Sequence, residues 1–100
     1  MALELFYLPR ADADLDRIYH WLAPRSGPSD ALAYLGRIEA ACQRLTDFPR
    51  RGSPHDKLQP ALRSIAFERR AAIYYRVAGS AVEIVRILHR GLDADREFKR

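Results

Sequence analysis

"LELFYLPRADADLDRIYHWLA", residues Leu3 to Ala23, changes period half-way, and that change decides the fold. Up to Leu8 the run is short, apolar and aromatic and is closed by Pro9, the pattern of a strand. After Arg10, Ala11, Leu15, Ile18 and Leu22 recur at spacings of four, three and four, which lays them on one face of a helix. Asp12, Asp14 and Asp16 put negative charge into its first turns, where the helix dipole favours it. Pro24, Gly27 and Pro28 are expected to stop this helix and make a tight connection.

Ser29 or Asp30 is a suitable N-cap for a second helix. Ala31, Leu35, Ile38, Cys42 and Leu45 form its apolar stripe, ending before "DFPRRGSP". Two helices joined by so few residues are expected to lie antiparallel. From Asp47 to Pro60 no period survives among four prolines or glycines, which reads as a surface loop. Three strand-like runs come next, "ALRSIAF", "AAIYYRV" and "AVEIVRIL", with Ala78-Gly79-Ser80 turning the last two into an antiparallel hairpin. The expectation is one α+β domain over residues 1–100, ordered β-α-α-β-β-β. In it an N-terminal strand and an antiparallel helical hairpin precede a three-stranded antiparallel meander, all in one sheet, with both helices packed on one face. Both parities of the last strand are apolar (Val82, Ile84, Leu88 and Val85, Ile87), so it is expected to be central or covered on its second face by a partner.

The chain's 100 residues suit one domain, and 48% hydrophobic with 30% charged residues describe an ordinary globular sequence. The apolar stretches are too short to span a bilayer, and "MALELFYLPR" carries neither a basic leader nor a small-residue cleavage site, so a cytoplasmic location and no membrane contact are expected. Cys42 is the single cysteine, which excludes an internal disulfide, and its place on the apolar stripe reads as packing. The net charge of +4 is unevenly spread: residues 1–50 carry six arginines against seven acids, residues 51–100 eleven Lys or Arg against six. A basic second half suits an acidic protein or nucleic acid, and charge alone does not choose between them.

His20, His55 and His89 have no partner at ligand spacing, and no paired-carboxylate or glycine-rich phosphate motif is present, so no metal or cofactor is expected. What remains is cationic. Metal-free RNA cleavage needs a base, positive charge for the phosphorane and an acid; arginine supplies only the second. His89, flanked by Arg86 and Arg90 in "RILHRGLDADREF", is the sole acid/base near the basic strands.

The ordered fragments "ADLDRIYHWL", "ALAYLGRIEAACQRLTDFPRRG", "ALRSI", "IYYRV" and "VEIVRILH", with the Leu45-Pro49-Gly52 spacing after the second helix, resemble the ParE branch of the RelE/ParE toxin superfamily, from about Tyr7 to Phe98. The resemblance implies the toxin of a type II toxin–antitoxin pair. Its RelE-like members cut ribosome-bound message with strand cations, a C-terminal arginine and a tyrosine or histidine; its ParE-like members poison DNA gyrase. Here Ala72 stands where the RelE-type arginine is expected, and no tyrosine follows Tyr75. The resemblance therefore implies a gyrase inhibitor with no catalytic residues, neutralised by a ParD-like antitoxin and without direct nucleic-acid binding of its own. The alternative is a nuclease using Arg63, His89 and Arg90.

For partner contacts the candidates are Trp21 and Tyr34, about a quarter turn or less off their helical stripes, the cations Arg63, Arg76, Arg86 and Arg90, and His89 and Phe98. The closing stretch is expected to be a recognition edge, its Asp93–Phe98 tail engaging target or antitoxin.

Overall fold

A computed structural model describes residues 3–99. Strand β1 (Glu4–Tyr7) leads into helices α1 (Pro9–Ser26) and α2 (Pro28–Arg44); β2 (Ser53–Pro54), β3 (Arg63–Phe67), β4 (Ala71–Ala78) and β5 (Ala81–His89) come after them, and a short α3 (Ala94–Phe98) ends the described chain. The expected α+β layout holds, with the two long helices on one face of a single sheet. That sheet, however, has five strands in the order β1-β5-β4-β3-β2, and it is mixed. The meander β3-β4-β5 is antiparallel as expected, whereas β1 pairs with β5 in parallel, Glu4 with Ala81 through Tyr7 with Ile84.

Parity explains the parallel pair. Helix α1 continues in the direction of β1, with Leu8 N–H on the Ile84 carbonyl (2.9 Å) and Trp21 beside His89 at the far end of β5. Helix α2 returns the chain to where β1 began, and Leu3 N–H donates to the Thr46 carbonyl there. Three strands then run forward, back and forward, so β5 arrives parallel to β1. Local periodicity carries no trace of this count.

The helix boundaries also differ from expectation. Pro9 opens α1 at its first position, where a missing N–H costs nothing. Pro24 does not stop the helix but lies in its last turns, and Gly27 at φ 93° ends α1 and begins α2 with Pro28 next, so neither Ser29 nor Asp30 is the cap. The loop from Asp47 is tied down rather than featureless. The Tyr75 hydroxyl donates to the Pro49 carbonyl (2.8 Å) and accepts from Gly52 N–H (2.9 Å), and Ser53 and Pro54 pair with Ser64 and Arg63 as β2.

Buried side chains fall into two groups. The larger lies between helices and sheet and includes Ala11, Ile18, Tyr34, Ile38, Cys42, Ile73, Tyr75, Ile84 and Ile87. The smaller, Leu62, Tyr74, Val85 and Leu88, sits on the opposite face. A β-bulge produces it: Tyr74 pairs with Arg86 and Tyr75 with Ile84, so Val85 has no partner and the inward parity of β5 shifts by one. The chain's own Leu58, Ala94 and Phe98 cover this second face. Strand β5 is thus interior to the sheet, and its outer face is closed by the protein itself.

Where β1 stops, α1 takes over the open edge of β5. Asp14, 2% exposed, accepts Ile87 N–H at 2.8 Å and holds the Arg86 guanidinium through Nε (2.8 Å) and Nη2 (2.9 Å). Asp14→Ala is expected to cost about 3–5 kcal/mol, because it strands a buried cation and a strand N–H together. Urea denaturation measures this, and a loss under about 1 kcal/mol contradicts it. Gly52→Ala is expected to cost about 1–3 kcal/mol by overpacking, since a Cβ there lies 2.6 Å from the Tyr75 hydroxyl and 2.8 Å from the Ser64 carbonyl; a variant melting with the parent contradicts it.

Candidate partner-binding site

The end of β5 gathers an aromatic and cationic cluster. The His89 ring meets Trp21 edge-on at 5.6 Å and Tyr34 at 5.7 Å, and Tyr34 meets Phe67 at 5.7 Å. Arg25 and Arg90 place their guanidiniums over the Trp21 ring, 4.1 and 4.3 Å from its centre, so the indole is stacked against two cations. Arg25 also donates to the Trp21 carbonyl one turn back. Arg37 and Arg70 flank Tyr34 at 5.5 and 5.6 Å, and Arg37 is itself paired with Glu68 at 2.7 Å. A cleft of about 230 Å³ opens between α1 and β5, bordered by Trp21, His89, Arg90 and the exposed Leu92.

The candidate residues do not share one place. Trp21, His89 and Arg90 meet in this cluster. Tyr34, expected to face a partner, is 1% exposed and closes the core beneath them; it lies one turn after Ala31 and inside the α2 stripe. Arg86, expected to meet acidic residues of a partner, is likewise corrected to a buried residue. It is 3% exposed and spent on Asp14 and on Glu97 (3.2 Å), because its pairing with Tyr74 after the bulge puts it on the second face, where the start of α1 and α3 cover it. Arg76 is half-exposed and paired with Glu83 at 2.7 Å, and it borders a second cleft with Phe98. Arg63 is bound to loop carbonyls of Gly52 (2.7 Å) and Arg50 (3.2 Å).

The nuclease set Arg63, His89 and Arg90 is therefore not assembled. Arg63 is level with Tyr75 and Ile84, whereas His89 lies at the other end of the sheet opposite Ala71. Sequence reasoning missed Asp14, Arg25 and Arg70. Asp14 had a signal: it sits three residues after Ala11 and four before Ile18, on the buried stripe itself.

Burial first, then the positive charge of Arg90 and Arg70, push the His89 pKa below its ordinary 6.5. The unfolded chain then takes up this proton at a higher pH than the folded one, so stability rises with pH through the region just below 6.5 and falls on acidification. His89→Gln is expected to flatten that dependence between about pH 7.5 and 5.5. Denaturation midpoints of parent and variant check this, together with imidazole NMR titration; a ring titrating at or above its ordinary value contradicts it.

Comparison with known proteins agrees with this architecture. The ParE toxin of the type II toxin–antitoxin system parDE matches residues 5–93. Toxin ParE1 of Mycobacterium tuberculosis is 33% identical over 91 residues, covering 90% of this chain and 92% of that one. Toxin ParE3 of Caulobacter vibrioides is 39% identical over 75 residues, covering 75% and 74%. A chain of the chromosomal ParDE toxin–antitoxin system from P. aeruginosa superposes with a TM-score of 0.77 at 28% identity, covering 89% of this chain and 97% of that one. The toxin–antitoxin complex RelBE2 of Mycobacterium tuberculosis shares the fold, with a TM-score of 0.66 at 22% identity and coverage of 90% and 100%. The chain belongs to the ParE toxin family of type II toxin–antitoxin systems.

Proposed function

We propose that this toxin acts in the cytoplasm by inhibiting DNA gyrase and is neutralised by a cognate ParD-like antitoxin that covers the Trp21–Arg90 end of the fold. The observation that carries the reading is the separation of Arg63 from His89 and Arg90 along the sheet, with the His89 ring packed between Trp21 and Tyr34. A phosphorane needs its cation and its acid within reach of the same few atoms, and these residues do not meet that geometry. A partly exposed indole held by two guanidiniums instead suits protein recognition, where a rigid ring buries area and the cations meet acidic side chains.

The purified toxin is expected to cause gyrase-dependent double-strand breaks in DNA and to leave ribosome-bound message intact. Message cleavage that disappears in His89→Ala overturns the reading. Trp21→Ala combined with Arg90→Ala is expected to weaken antitoxin binding about thirtyfold or more, the range of a hot-spot loss. Titration calorimetry measures it, and unchanged affinity removes this end of the fold from the interface.

A further inference from the structure

A second cleft, of about 350 Å³, lies away from the Trp21 cluster, where the start of α1, the bulged part of β5 and α3 come together. Its charged lining consists of Arg10, Arg76 and Arg86, with no carboxylate among them, and Gln59 is its remaining polar side chain. Leu8, Val85 and Phe98 supply an apolar wall. Two polar atoms of the lining are buried without a hydrogen-bond partner among the described residues: Nη1 of Arg86, whose side chain is 3% exposed, and Oε1 of Gln59. At the same spot α1 begins without a side-chain cap. Pro9 brings no N–H, and Ala11 and Asp12 both donate to the Leu8 carbonyl, which leaves the Arg10 N–H as the first-turn donor without a helical partner.

The charge around the cleft limits its occupant. Arg86 is balanced by Asp14 and Glu97, and Arg76 by Glu83. Arg10 is then the lining cation with no carboxylate partner among the described residues. With Arg17, which also reaches Asp14 at 3.7 Å, four arginines face three acids, and the one positive charge left over matches a carboxylate; a phosphate dianion would face those three acids just behind the arginines. The unpaired Gln59 oxygen needs a donor, which a free carboxylate lacks and a peptide N–H provides.

From this we propose that the cleft is a receptor for an acidic side chain on a partner peptide. The carboxylate takes Arg86 Nη1, the Arg10 guanidinium and the α1 N-terminus; the peptide N–H meets Gln59; and an apolar neighbour rests on Phe98, Val85 and Leu8. The cleft thereby becomes a second part of the partner-binding surface with its own ligand chemistry, and only the identity of the partner as an antitoxin or gyrase rests on the function proposed for the toxin.

N-acetyl-leucyl-glutamate amide titrated into the isotope-labelled full chain tests it, with the glutamine analogue and inorganic phosphate as separate arms. The Arg10 and Arg86 guanidinium signals are expected to shift saturably with the glutamate probe while Arg25, stacked on Trp21, stays still. Affinity is expected to fall about tenfold for the glutamine analogue and for Arg10→Ala, the scale of one charge-assisted contact. Gln59→Leu, which keeps every charge, is expected to weaken binding as well. Absence of saturable shifts, equal response to both peptides, tighter binding of phosphate, or a crystal structure at saturating probe with only water on Arg86 Nη1 each overturns the proposal. Gyrase cleavage scored on the same preparation keeps the two readings apart. A chain that poisons gyrase but ignores the probe overturns the receptor alone, and one that binds the probe but spares gyrase overturns the gyrase assignment alone.

Discussion

The buried contact of Asp14 with Arg86 and the Ile87 amide is the constraint on which the rest of this toxin's structure depends. Strand β1 covers β5 only from Ala81 to Ile84. Beyond that point β5 would present an unpaired edge, which proteins of this size do not leave open without protection. A carboxylate from the second turn of α1 fills the gap by acting as a surrogate strand acceptor. It is held there by a guanidinium that could not be buried alone. One side chain thereby fixes how α1 lies along the sheet, and through α1 the position of Trp21, Arg25 and the cleft beside His89.

The same guanidinium reaches the other layer. Glu97 on α3 accepts from Arg86 at 3.2 Å, and the Phe98 ring packs at a tilt against Tyr74 with ring centres 5.1 Å apart. The bulge at Val85 makes this possible by sending Val85 and Leu88 to the outer face, where α3 and Leu58 shelter them. A strand apolar on both faces thus resolves into two small cores rather than an exposed patch. Mixed ion and ring contacts of this kind fix the position of a five-residue helix that would be marginal in isolation.

Whatever depends on neighbours along the chain is legible in the sequence. The two helical stripes, the meander and the Gly79 turn follow from local period, and the structure contains them all. The parallel β1–β5 pair depends on a count of reversals across the whole chain, and the two-residue β2 is too short to show alternation. Charge is usually exposed, and that rule fails for Asp14 and Arg86 together: the stripe marks the place of Asp14, but its partner shows only when the fold brings the two side by side. Trp21 and His89 stand near element ends, which is enough to bring them to the candidate site. The dryness of the His89 ring comes from Tyr34, which the stripe rule puts a fraction of a turn too far out.

Sequence separation gives the Asp14–Arg86 contact a further meaning, in time rather than in space. The partners are 72 residues apart, and β1 likewise has to wait for Ala81 to Ile84. Contacts that close so large a loop form late and slowly. As the chain emerges from the ribosome, the helical hairpin has a surface to bury and no sheet edge to lock onto until β5 has been made. The toxin's fold is completed from its two ends at once, so an elongating chain passes most of its synthesis in a form that cannot yet present the Trp21 face.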